Sequence, residues 1–429
     1  MAAAGAAFPF VSHLGANSAN ARLRMASFGA GGIASLDINS LVDTGLVDLV
    51  AVADVDLPKA EQLRSKYPEV KIYQDWRELL SREHRNLDAV SICTPDHMHC
   101  AMGMAAMQLG KHVYGQKPLA QNVFETRQMQ LQARASKVVT QMGIQVHSSV
   151  EYRTAVRLVQ SLAIGKIKEV HTWSSKQWGD SQPLPQKSDP VPQGLNWDLW
   201  LGVAAERPFI ADYYHPKNWR KRLEFGTGTF GDMGCHIYDP VFKALDLTAP
   251  ISVRSEGPAP NATNWAINAV IHYIFPATRF TEGKTVQVTW YDGDMRPPQS
   301  VRDLLGPNAK LPEQGSIFIG AKGIMVLPHV GKPQLLPAEQ FQSFNYPELP
   351  KLNHWMQFVE ACRGNGKTSA NFDYSAALTE AVLLGGVATR FPKTTLSWDA
   401  KKLRFANLKE ANVFLRRDYR PGWEPKWVS

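Results

Sequence analysis

Between residues 22 and about 145 the chain alternates short apolar runs with longer amphipathic ones. The strand-like runs are Arg22–Phe28, Asp48–Ala53, Val70–Tyr73, Asp88–Cys93, His112–Tyr114 and Val138–Met142. Between them lie helical runs at Ile33–Val42, Lys59–Lys66, Trp76–Ser81, His99–Leu109 and Val123–Ala135. Strict alternation of the two periods predicts a doubly wound parallel sheet with helices on both faces, an α/β Rossmann domain over 22–145. Ligands of such sheets bind beyond the carboxyl ends of the strands.

After residue 146 the pattern changes. A helix over Glu151–Leu162 leads to a long strand, Ile167–Gln177. Further strands are predicted at Ile251–Ser255, Ala269–Phe275, Thr285–Tyr291, Ser316–Ile319 and Ile324–Leu327, the last two as a hairpin through Gly320 and Gly323. No predicted helices separate these strands, so a predominantly antiparallel open sheet of α+β type is expected over 146–405. Two late helices follow, His354–Cys362 and Tyr374–Thr389. The polar, basic and aromatic end, 406–429, reads as a tail that straps across this molecule or an adjacent subunit.

Composition narrows the class. With 429 residues, 44% of them hydrophobic and 20% charged, the chain suits a globular protein of two domains. The net charge of +8 is scattered rather than clustered, which argues against a nucleic-acid surface. The four cysteines show no zinc spacing, and no metal site is expected. Residues 1–21 are small, apolar and without a basic start, and Ala16-Asn17-Ser18-Ala19 resembles a cleavage zone. They read as the remnant of an export signal or as a disordered arm. No apolar run reaches the roughly 18 residues of a membrane span.

Candidate chemistry gathers at strand ends. Phe28-Gly29-Ala30-Gly31-Gly32-Ile33-Ala34 joins the first strand to a helix, and Asp54 closes the second strand. That is the layout of a dinucleotide site. Gly29 allows the tight turn, Gly31 lets backbone approach a pyrophosphate, and the N–H groups beside Gly32 and Ile33 face the phosphates. Asp54 would bind the ribose hydroxyls and repel a 2′-phosphate, favouring NAD over NADP. Thr94, Pro95, His97 and His99 end the fourth strand, and Gln116-Lys117-Pro118 ends the fifth. There Lys117 would face the cofactor crevice.

Asp232 and His236 stand four apart on a predicted helix and share one face. A carboxylate beside an imidazole orients it for general-base work, although such pairs are also plain helix-surface pairs or metal half-sites. The irregular stretch 178–224 is rich in Pro, Trp and Tyr, as a sugar pocket or a dimer-contact loop would be. Candidate substrate contacts are Gln145, His147, Arg153, Tyr213, His215, Trp219 and Arg220.

Taken together, the Gly-rich turn, Thr94-Pro95 with His99, Lys117-Pro118 and Asp232 with His236 resemble the family of glucose-fructose oxidoreductase and inositol 2-dehydrogenase (Gfo/Idh/MocA). The resemblance runs from about Leu23 to about Ala406. It implies a Rossmann domain followed by a sheet domain that covers the nicotinamide, usually in a homodimer or homotetramer. It also implies hydride transfer between NAD and a ring hydroxyl of a sugar or glycoside. Lys117, Asp232 and His236 would be the catalytic residues: His236 takes the hydroxyl proton and Lys117 hydrogen-bonds the reacting oxygen. The family usually has Glu-Lys-Pro where this chain has Gln116-Lys117-Pro118. Members with Gln there resemble exported bacterial proteins, so a periplasmic or exported location is expected, with a cytoplasmic one as the alternative. Some relatives are NAD-dependent glycoside hydrolases that oxidise the ring, eliminate the substituent, add water and reduce the ring again. That second reading needs an extra base, for which His147, Tyr213, Tyr214 or His215 are available. A third, catalytically inert sugar-binding relative is argued against by the intact Lys117, Asp232 and His236.

Overall fold

The computed structural model describes residues 22–306 and 310–428. The expected export signal or arm at 1–21 lies outside the described residues. The first half runs β1 (Leu23–Phe28), α1 (Ile33–Val42), β2 (Val47–Ala53), α2 (Leu57–Glu61), β3 (Lys71–Tyr73) and α3 (Trp76–Glu83). It continues through β4 (Ala89–Ile92), α4 (His99–Gln108), β5 (His112–Gly115), α5 (Val123–Ser136) and β6 (Thr140–Met142). The six strands form one parallel sheet in the order β3-β2-β1-β4-β5-β6. The order reverses between β1 and β4, and the crevice opens at that switch point. Every residue of β4 is buried, as a central strand covered on both faces requires. The helix expected at Lys59–Lys66 starts earlier and breaks into a tighter 3₁₀ turn at Gln62–Ser65.

The second half opens with α6 (Val150–Gln160), β7 (Ile167–Ser174), α7 (Trp197–Leu201), α8 (Gly228–Ile237) and α9 (Asp239–Ala244). Then come β8 (Ser252–Ser255), β9 (Val270–Pro276), β10 (Thr285–Asp292), α10 (Gln299–Asp303), β11 (Gly315–Gly320), β12 (Ile324–Pro328) and β13 (Gln334–Leu336). The chain closes with α11 (His354–Cys362), α12 (Phe372–Ala388), β14 (Thr395–Asp399) and β15 (Arg404–Phe405). Nine strands form a sheet in the order β13-β12-β11-β7-β10-β9-β8-β14-β15. It is antiparallel except for the β7–β10 pair, so the expected open, mostly antiparallel sheet is present. β9 shows how one face is buried: Ile271, Tyr273 and Phe275 are covered, while Val270, His272 and Ile274 between them are less so. The strands β13, β14 and β15 were not expected; each spans five residues or fewer.

Two late helices tie the halves together. Asn353 and Asn371 cap α11 and α12 by accepting hydrogen bonds from N–H groups of the first turn. α11 returns to the first sheet, where Phe358 and Val359 pack with Leu23, Met25 and Tyr114. α12 is apolar around most of its circumference and is buried between the two sheets, as a helix without a polar face must be.

Candidate active site

The crevice is built from the β1–α1 turn upward. Gly29 has φ +101, and a Cβ there would stand 2.3 Å from the Cys93 carbonyl oxygen. Only glycine lets the end of β4 come this close. No side chain caps α1, whose N-cap is Gly32, so its first turn offers N–H groups to an anion. Asp54 Oδ2 accepts from the Ala30 N–H at 2.8 Å, and Oδ1 accepts from the Asp56 N–H at 2.9 Å. Burial pushes its carboxyl up against those two bonds. Between this turn, the ends of β2 and β4, and the segment from Leu199 to Arg220 lies a crevice of about 470 Å³.

Arg220 on the crevice wall leads to a cluster with Lys117, Asp232 and His236. The Lys117 Nζ donates to the Asp232 carbonyl oxygen and to Asp232 Oδ1, both at 2.6 Å. Arg220 Nε donates to the same Oδ1 at 3.3 Å. Burial alone would raise the Asp232 carboxyl, but the charges of Lys117 and Arg220 prevail and hold it at about 2. His236 sits one turn further along α8. Burial, then the Lys117 charge, pushes its imidazole well below the usual value, so it is neutral near pH 7. Its Nδ1 has no hydrogen-bond partner among the described residues. The arrangement combines a fixed ammonium, a fixed carboxylate and a neutral imidazole, a set able to hold an oxygen and accept its proton.

Behind Lys117, the Gln116 amide donates to Asp37 Oδ2 at 2.7 Å, and the Trp355 indole donates to Asp37 Oδ1 at 2.9 Å. Burial outweighs those bonds and pushes Asp37 to about 6. A glutamate at 116 would set a second carboxylate against this one. The amide therefore suits its partner.

Sequence comparison assigns both halves. Residues 23–144 match the Gfo/Idh/MocA oxidoreductase family's NAD-binding Rossmann fold, and residues 159–295 match that family's C-terminal alpha/beta domain. The chain belongs to the Gfo/Idh/MocA family. Its first domain is thus an NAD-binding Rossmann domain. Among the relatives, the levoglucosan dehydrogenase of Pseudarthrobacter phenanthrenivorans is 23% identical over 38% of this chain and 34% of its own length. The D-glucoside 3-dehydrogenase of Escherichia coli is 34% identical over 25% of this chain and 30% of its own length. The chain thus spans about a third of the length of these curated relatives. The dehydrogenase WlbA of Chromobacterium violaceum, solved with NADH and UDP-GlcNAcA, has the same fold at a TM-score of 0.64 and 15% identity. That superposition covers 89% of this chain and 97% of the other.

In this Gfo/Idh/MocA chain the candidate residues divide into two groups. Gly29, Gly31, Gly32, Ile33, Asp54, Thr94, Pro95, His215, Trp219 and Arg220 line the crevice. His215, expected at the substrate, instead bonds Asp56 Oδ2 at 3.0 Å at the β2 end of the crevice. His97 does not reach the crevice: its ring is buried between Trp200 and Phe225 with Nε2 on the Trp200 carbonyl. His99 spends both nitrogens on backbone carbonyls, those of Pro118 and Thr94, and so ties two strand-end loops together. His147 is buried with Nδ1 on Asp239 Oδ2 at 2.9 Å, among Tyr152 and Tyr374. Arg153 binds the Ser148 and Pro350 carbonyls, and Gln145 keeps a buried, unpartnered Oε1.

Tyr213 donates to Asn264 and lines a different cavity. Much of the Trp-Tyr stretch expected to hold sugar packs as a core of its own, with Trp200, Phe209, Tyr214 and Phe225 in contact. One neighbour was missed. His329, the residue after β12, brings its ring within 5.6 Å of that of His236, and burial pushes it to about 4. No motif marks it, because its sequence distance from α8 hides the meeting. Among the described residues no group of three or more His, Cys, Asp or Glu side chains is placed to hold a metal ion. No helix among them is long and apolar enough to cross a membrane.

Proposed function

We propose that the protein is an NAD-dependent oxidoreductase that moves hydride between a ring carbinol carbon of a sugar or glycoside and the nicotinamide. The observation that carries this reading is the cluster of Lys117, Asp232 and His236, joined to the crevice wall through Arg220. The crevice suits the cofactor: Gly29 lets backbone come close, the start of α1 carries no side-chain cap, and Asp54 stands at the β2 end. When bound there, NAD supplies the hydride acceptor or donor. The Lys117 ammonium donates to the substrate oxygen and stabilises the negative charge that develops as its proton departs. Neutral His236 accepts that proton. Asp232 stays ionised, steers Lys117 through its 2.6 Å bond, and stabilises the imidazolium that forms.

A sugar or glycoside substrate accords with relatives named for levoglucosan and D-glucoside oxidation. The hydrolytic alternative has less support. His147, Tyr213 and His215 are bonded to Asp239, Asn264 and Asp56, and Tyr214 is buried within the aromatic core. The deciding assay incubates the protein with aryl glucosides and NAD. NADH formation without phenol release is expected. Phenol release without net NADH would overturn the reading in favour of hydrolysis. Lys117→Met should lower kcat by roughly 10²–10³-fold, as loss of one preorganised donor does elsewhere.

A further inference from the structure

A second cavity is larger than the crevice. It encloses about 720 Å³ and shares no lining residue with the crevice. Its walls are the start of α5, the back of α8, the C-terminal half of α12 and the tail from Phe414 to Pro421. Six arginines line it, against three acids. Four of the arginines have an acidic partner within hydrogen-bond distance: Arg207 pairs with Glu224, Arg222 with Asp180, Arg416 with Glu424 and Arg420 with Asp198.

The other two are differently placed. Arg390 makes no side-chain hydrogen bond or ion pair with any described residue. Its guanidinium lies on Phe414 at 4.3 Å and faces Trp265 at 5.5 Å. Burial without an anion lowers its pKa to about 10. Arg417 has a side chain only 9% exposed, and its contacts are long: 3.3 Å to Gln121 Oε1, 3.4 Å to the Glu224 carbonyl and 4.0 Å to Glu224 Oε1. Its Nε, like that of Arg420, is buried without a partner. Buried guanidinium donors are seldom left unmatched, because each carries a desolvation cost.

We propose that this cavity is a second ligand site, for a small organic anion carrying a phosphate or carboxylate group. Arg390 and Arg417 bind the anionic group, and Leu184, Thr263 and Trp265 line the space for the remainder. The volume is within the range of small-molecule sites. A planar guanidinium stacked on aromatic rings is preorganised for a bidentate oxyanion.

Calorimetry on the NAD-loaded Lys117→Met protein, whose reaction site is impaired, tests the site directly. The probes are glucose 6-phosphate, glucuronate and neutral glucose. One or both anions should show binding that a rim charge in this cavity weakens, glucose should show none that it weakens, and the phosphate and carboxylate arms separate the two headgroups. Arg390→Gln should weaken binding at least about tenfold while NAD affinity stays the same. Ala262→Glu, at the exposed rim of the cavity, adds negative charge without disturbing a core and should weaken binding as well. Failure of both anions to bind, glucose binding that Ala262→Glu weakens equally, or unchanged anion affinity in Ala262→Glu would overturn the proposal. Because the readout is binding and not turnover, this outcome stands apart from that of the proposed reaction.

Discussion

At the scale of single residues, ionisation state separates the roles. Asp232 is held at about 2 and is a permanent anion, whereas His236 is pushed well below the usual imidazole value. A general base acts in its unprotonated form, so its pKa sets the lower pH limit of activity. With His236 as base, kcat for sugar oxidation should stay level from pH 8 down through 6.5, and a rate that falls with an apparent pKa near 6.5 would contradict the assignment. Gln116 gives a second test. Gln116→Glu places a carboxylate against Asp37, which burial already raises to about 6. Asp37 holds its proton more readily when folded than unfolded, so it stabilises the fold less as pH rises through 6. The variant should lose roughly 1–3 kcal/mol, more at pH 8 than at pH 5, in urea titrations at the two values.

At the scale of elements, the β1–α1 turn and the end of β4 are a single device. Gly29 is left-handed, and a Cβ there would collide with the Cys93 carbonyl. Gly29→Ala must either push β4 away or distort the turn. We expect a loss of about 1–3 kcal/mol of stability and a larger loss of NAD affinity, measured by denaturation and by fluorescence titration. Helix α8 shows how one element serves two neighbours. Asp232 and His236 belong to the proposed reaction site, while Gly231 packs on Thr227, whose hydroxyl donates to Asp96 at 2.7 Å. The helix and its Asp-His spacing were legible in the sequence. Its second neighbour was not, since Asp96 is 131 positions from Thr227.

At the scale of the whole molecule, the tail is a seam. Tyr419 donates to Glu125 at 2.7 Å, the Arg420 N–H donates to the Val203 carbonyl, and Arg77 lies 4.0 Å over Trp423. The strap expected from the polar aromatic end therefore runs across the Rossmann helices of its own chain. Glu125 is fully buried and its other oxygen has no partner, so Tyr419→Phe removes its closest donor. A loss of about 1–3 kcal/mol is expected, read as a lower Tm, whereas an exposed tail would give no change.

The sequence by itself determined the two sheets, the Gly-rich turn, the acid that ends β2 and the Asp232–His236 pair. These depend on periods of two or 3.6 residues and on glycines whose backbone demands are local. Only the tertiary structure decided which polar side chains share a space. Lys117 meets Asp232 across 115 positions, and His236 meets His329 with no motif between them. His97, His99 and His147 carry the residue type of a site but each bonds a partner in the interior. A histidine reads the same in sequence whether its partner is a substrate or a carbonyl, because that partner comes from a distant part of the chain.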